Sequence, residues 1–228
     1  GAGLYRWISA DLQDFPISLA DLEPYFDLLT AEIGISGADD DLTEFFGSPA
    51  GLQPPLELSY NARRVALAYR RRRKALRAKR ITLGRPRAGV LSAPKDGRPA
   101  CDYSNLEFWQ QQPYVYTPAV TLRKLIAAGQ IDYRPGLLVQ RWIETADGVT
   151  VVARDVRSGE MVEVSGQRLL LAAGAINTAR IALQSAGDAA TRLPLLENPV
   201  LQIPLVLPAS LGRRLDTHAF GLVQLNLV

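Results

Sequence analysis

The chain is poor in the residues that most often carry chemistry: 228 residues include one cysteine, one histidine and one methionine. A lone Cys101 excludes an internal disulfide and any cysteine-built metal site within one chain, and it reads as a buried or bystander thiol. Sparse cysteine fits a reducing, cytoplasmic setting. No apolar run reaches the roughly 18–20 residues that a membrane span needs. The opening GAGLYRW has neither a basic n-region nor an apolar h-region, so no signal peptide is read there. Acids are missing from one stretch only. Between Asn61 and Arg87 stand twelve Lys or Arg and no Asp or Glu, which leaves fourteen basic against twenty-three acidic residues elsewhere, about −9. The overall charge of +3 therefore describes one segment rather than the whole surface.

What is present is well punctuated. In ISLADLEPYFDLLTAEIGISG, Ser18 caps a helix, Asp21 stands at the capping-box position and Gly34 closes the end. Leu22, Tyr25, Phe26, Leu29 and Ile33 then fall on one face, and Pro24 lies in the early turns, where it is tolerated. Residues 37–60 read as loop with a helical turn near Phe45. Residues 61–80 space Val65, Tyr69 and Leu76 at helical intervals among arginines and predict a helix or an extended arm. TPAVTLRKLIAAG predicts a further helix, with Thr117 as cap, Pro118 at the first helical position and Gly129 as stop.

The period then changes. LLVQRWIET, VTVVARDV and EMVEVSG are strand-like runs joined at Ala146-Asp147-Gly148 and Arg157-Ser158-Gly159, a pattern that predicts an antiparallel meander. Next comes RLLLAAGAINTARIALQSAG, which predicts a buried parallel-type strand over 168–172 and a helix over 175–184. Between them Ala172, Ala173 and Gly174 carry almost no side chain. Tight strand-to-helix packing would favour such residues, and so would a ligand beyond the end of a strand.

The strand, A-A-G-A and helix after a meander resemble the later half of the FAD-binding domain in glucose–methanol–choline (GMC) oxidoreductases. That family's second signature is matched by Ala172-Ala173-Gly174-Ala175, Thr178 and Ser185, while Ala179 replaces a proline and Ala186 separates Ser185 from Gly187. Phe15-Pro16-Ile17, Asp21-Leu22, Pro24-Tyr25 and Gly34 are similar to a second stretch, GAGLYRW to a third and YRPGLLVQRWI to a fourth. The resemblance implies an α/β (α+β) fold: part of an FAD-binding sheet with an antiparallel β-meander, plus a substrate-domain portion. It divides the chain into a residual FAD-domain segment at 1–10, a helical and loop substrate-domain portion at 11–120, an FAD-domain portion at 121–190 and a further substrate-domain segment from 191 to 228.

The implied activity is hydride transfer from the CH–OH group of a small-molecule alcohol or sugar to a flavin. The implied cofactor contacts are the Val139 backbone, against adenine, and Ala172, Ala173 and Gly174, with no metal ligand and no catalytic residue within the chain. The family's G-x-G-x-x-G turn is expected upstream of Gly1 and its catalytic histidine beyond Val228. His218 only faintly matches a family segment, because Thr217 intervenes after Asp216. Phe108, Trp109, Tyr114 and Tyr116 could line a substrate cavity or pack a core. The run from Arg63 to Arg80 suits an acidic protein partner or electron acceptor better than nucleic acid, since no nucleic-acid reading motif accompanies it. Residues 193–208, rich in leucine and proline, predict an extended path. Two further classes stand beside the enzyme: a non-catalytic binding or scaffold protein of the same descent, and an Arg-rich nucleic-acid binder.

Overall fold

A computed structural model describes residues 3–6, 12–104, 112–188, 190–195, 201, 203, 206, 208, 211–214 and 223–228. The element order is α1 (Leu19–Ile33), α2 (Thr43–Phe46), α3 (Tyr60–Arg77), β1 (Leu83–Gly84), α4 (Pro118–Ala127), β2 (Leu137–Thr145), β3 (Gly148–Asp155), β4 (Met161–Gly166), α5 (Ala175–Ala186) and β5 (Asn226–Leu227). Helices and antiparallel sheets are combined, as the α/β (α+β) class requires. The chain forms two compact units, Gly1–Arg123 with Val206–Val228, and Lys124–Leu205.

In the first unit the predicted caps of α1 are in place. Ser18 Oγ accepts from the Asp21 amide, Asp21 Oδ2 accepts from the Ser18 amide at 2.8 Å, and Gly34 ends the helix at φ 80°. The buried face is rotated from the sequence expectation. Leu22, Phe26 and Ile33 are half-buried with Thr30 fully buried, whereas Tyr25 and Leu29 are exposed. Apolar spacing marks a stripe, but the line along which a helix meets its neighbours is set by those neighbours.

The core of this unit is built from loops and short bridges more than from helices. Leu56, Ala88, Val90, Leu91, Cys101 and Tyr114 form its central cluster. Cys101 and Tyr114 are thus core residues, and burial pushes the Cys101 thiol up. Ser36 bridges both Gln53 and Ala88, and the Gln53 side-chain carbonyl accepts from the Ser92 and Ala93 amides at 2.9 and 3.0 Å. Arg87 is 1% exposed, donating from Nη1 to the Ala38 carbonyl at 2.6 Å and from Nη2 to the Gly47 carbonyl at 2.8 Å.

The arginine run is a helix, α3, capped by Ser59 and turned inward at Ala62, Ala66, Tyr69 and Leu76. Two of its arginines serve the fold. Arg73 forms a two-pronged bond with Asp41 at 2.6 and 2.5 Å, and Arg77 reaches Glu44 at 2.8 Å. Arg73 and the Tyr69 hydroxyl, itself 2.6 Å from Asp41, hold the Asp41 carboxyl down to about 2.

The second unit contains the meander, in strand order β2-β3-β4. Its first turn pairs Thr145 with Gly148; in its second, the Asp155 carboxylate accepts from the Arg157 and Ser158 amides at 2.7 and 3.1 Å. Val149, Val152 and Ala153 of the central strand are buried. The predicted strand over 168–172 does not form: these residues are coil, and Leu170 is 87% exposed. A strand is held by its ladder, and among the described residues no strand lies beside this one.

Among the described residues no helix is long and apolar enough to cross a membrane. His218, Phe108, Trp109 and much of 193–208 lie outside the described residues.

Candidate cofactor-binding turn

The candidate site is assembled in the second unit from the edge of β2 and the entry of α5. Among the described residues strand β2 pairs on one side only, with β3, and it carries a bulge. Val139 opposes Ala153 and Arg141 opposes Val152, so Gln140 is an extra residue. A bulge at an edge strand redirects the backbone polar groups next to it.

Helix α5 packs against β2, and its side chains engage that edge. Ser185 Oγ accepts from the Trp142 amide at 2.9 Å while donating to the Ile181 carbonyl at 2.7 Å. Arg180 donates through Nη2 to the Val139 carbonyl at 3.1 Å and through Nη1 to Gln184 at 2.9 Å. Sequence reading did not assign a role to Arg180; its place within the AINTARIALQSA helix carries no motif signal. The Val139 carbonyl retains one lone pair beyond the bond to Arg180.

At the start of α5 the three small residues are all exposed. Gly174 is the N-cap at φ 82° and ψ 158°, a region of backbone space that is essentially restricted to glycine. A Cβ built on Gly174 would meet nothing within 4 Å. Tight packing therefore does not explain this glycine: backbone conformation requires it, and open space lies around it. The helix has no side-chain cap bond at its N-cap and no acid in its first turn. The turn is held instead by Thr178, whose Oγ1 accepts from the Ala173 amide at 3.2 Å. Thr178 and Ser185, both matched in the sequence signature, thus fasten the two ends of α5.

No protein-family model matches the chain, and no curated protein sequence matches it significantly.

The residues present fit a dinucleotide cofactor at one end and share the other. The turn at Ala172, Ala173 and Gly174 offers an exposed, side-chain-free approach to the head of a helix, which is what a flat bulky group needs. At Val139 an adenine would share the carbonyl with Arg180. Among the described residues no group of His, Cys, Asp and Glu could hold a metal ion.

Proposed function

We propose that this chain is part of an FAD-dependent oxidoreductase of the GMC type, acting on CH–OH groups of alcohols or sugars. The supporting observation is the glycine-only conformation of Gly174, in open space, at the head of a helix fastened to the edge strand of a meander. Val139 would hold the adenine through its backbone, and Ala172, Ala173 and Gly174 would leave room for the rest of the dinucleotide. The flavin, when bound, supplies the hydride-accepting chemistry. The chain's own contribution is to bind and orient, with Arg180 and Ser185 fixing the distance between α5 and β2. No described residue is assigned the removal of the hydroxyl proton.

The test is titration of the full chain with FAD, followed by flavin fluorescence. Binding is expected, with AMP competing, and Ala173→Phe should weaken it at least about tenfold by occupying the approach. Absence of binding, or equal affinity in Ala173→Phe, would overturn the reading. A non-catalytic scaffold of the same descent is favoured by one observation, the Arg180 bond to the Val139 carbonyl, and it predicts a chain that is colourless once free FAD is removed.

The outer face of α3 is assigned to an acidic protein partner or electron acceptor. Arg71, Arg72 and Lys74 are exposed and form no ion pair among the described residues, so their charge is open to a partner. Binding to polyglutamate should fall with ionic strength and be lost in Arg71→Glu/Lys74→Glu, whereas tighter binding to DNA at equal charge would favour the nucleic-acid reading.

A further inference from the structure

A cavity of about 220 Å³ lies in the first unit between α3, the β1–β5 pair and the loop at Asp40 and Asp41. Its apolar wall comes from Leu58, Ala66, Leu83 and Leu225. Its polar groups separate into those already engaged and those left over. Asp41 is occupied by Arg73 and by the Tyr69 hydroxyl. Asp40 accepts from the Arg85 and Leu42 amides at 2.6 and 3.0 Å. Both carboxylates on the wall are therefore used in holding the loop, and one guanidinium, that of Arg73, is matched.

Two guanidiniums remain. Arg85 is half-buried; its Nη2 donates to a neutral acceptor, the Leu56 carbonyl, and its Nε is buried with no hydrogen-bond partner among the described residues. Arg70 lines the same cavity with no hydrogen bond or ion pair among the described residues. Burying the Arg85 guanidinium is costly; the nearby Asp40 carboxylate offsets part of that cost without bonding the guanidinium, and an incoming anion would relieve more of it. A wall of leucine and alanine beside two guanidiniums that bond no carboxylate selects a ligand with an apolar body and one negative end. The volume, below the roughly 300–1,000 Å³ of drug-sized pockets, limits it to a small molecule.

We infer that this cavity binds a small amphipathic monocarboxylate, with its carboxylate toward Arg70 and Arg85 and its apolar body against Leu58, Ala66, Leu83 and Leu225. The site is independent of the flavin reading, because every residue in it belongs to the other unit. Arg70 is the specificity-determining residue: it is exposed, performs no structural bond, and has the planar fork that grips a carboxylate in two places.

Calorimetric titration of the full chain with benzoate, hexanoate and the matching alcohols, benzyl alcohol and hexanol, tests this without FAD. At least one of the two carboxylates should bind, at least about tenfold more tightly than its alcohol. The loss of a charge-assisted contact in Arg70→Gln should weaken carboxylate binding about tenfold to a hundredfold. Ala66→Phe should abolish it by filling the cavity; a fold disturbed in that variant leaves the decision to Arg70→Gln, which alters only an exposed side chain. Failure of both carboxylates to bind overturns the inference, as does an alcohol that binds as tightly as the matching carboxylate where that carboxylate binds, or an unaffected Arg70→Gln.

Discussion

Arg87→Ala is expected to lower the unfolding free energy by about 4 kcal/mol, the sum of lost charge-assisted hydrogen bonds and an emptied side-chain volume. Arg87 is almost wholly buried, and its two terminal nitrogens hold the carbonyls of Ala38 and Gly47, so one side chain fastens both ends of the segment that carries α2. Burial depresses its pKa while the nearby Asp39 and Asp40 carboxylates oppose that, which is how the charge is tolerated. Removing the side chain takes the donor from two half-buried carbonyls, and Gly37, whose Cβ would sit 3.0 Å from Arg87 Cδ, faces the void. Two companions separate the causes in urea denaturation. Arg87→Met keeps most of the volume without donors, and Arg87→Lys keeps the charge without the fork; each should restore less than half of the loss. A stability of Arg87→Ala within about 1 kcal/mol of the parent would sink the argument, because domains of this kind have only roughly 5–15 kcal/mol in all.

In the second unit the largest expected effect comes from Gly148→Ala, at about 3 kcal/mol. Gly148 opens β3 at φ 154°, and a Cβ there would run into the Gly166 carbonyl and lie 3.1 Å from Gln167 Cα. Both obstacles are backbone, so neither can rotate aside, and relief requires β3 and β4 to separate where Val149 pairs with Gly166. Gly159, in the other hairpin turn, is the internal control. It has φ 78° but open space around a Cβ, so Gly159→Ala should cost only about 1 kcal/mol. Hydrogen exchange of the meander amides reads both variants, and equal losses would show that φ alone, rather than the close approach to β4, sets the cost.

Much of the local structure is legible in the sequence alone. The capping box of Ser18 and Asp21, the stop at Gly34, the turns at Gly148 and Gly159 and all three meander strands follow from rules that act within a few residues. The start of α5 at Ala175 was legible for the same reason. Legibility failed wherever the deciding partner was distant. Leu169, Leu170 and Leu171 have the composition of a buried strand, yet composition supplies no neighbouring ladder, and the segment is coil. Tyr25 and Leu29 share a periodic stripe with Phe26, yet only Phe26 is turned toward the unit.

The arginines divide in the same way. By sequence alone, residues 61–87 are twelve cations without an acid, which marks a helix or an extended arm with charge to spare; the fold makes Tyr60–Arg77 the helix. Nothing in the spacing distinguishes Arg87, which is buried among carbonyls, from Arg73, which is matched to Asp41, or from Arg70, which lines a cavity with no partner of its own among the described residues. Local pattern determined that these residues are helical or extended, capped or turned, because those preferences are settled by neighbours in the chain. Which cation is matched, which is buried and which is left to meet a ligand was decided by the tertiary structure, because charge compensation depends on groups that folding brings in from dozens of residues away.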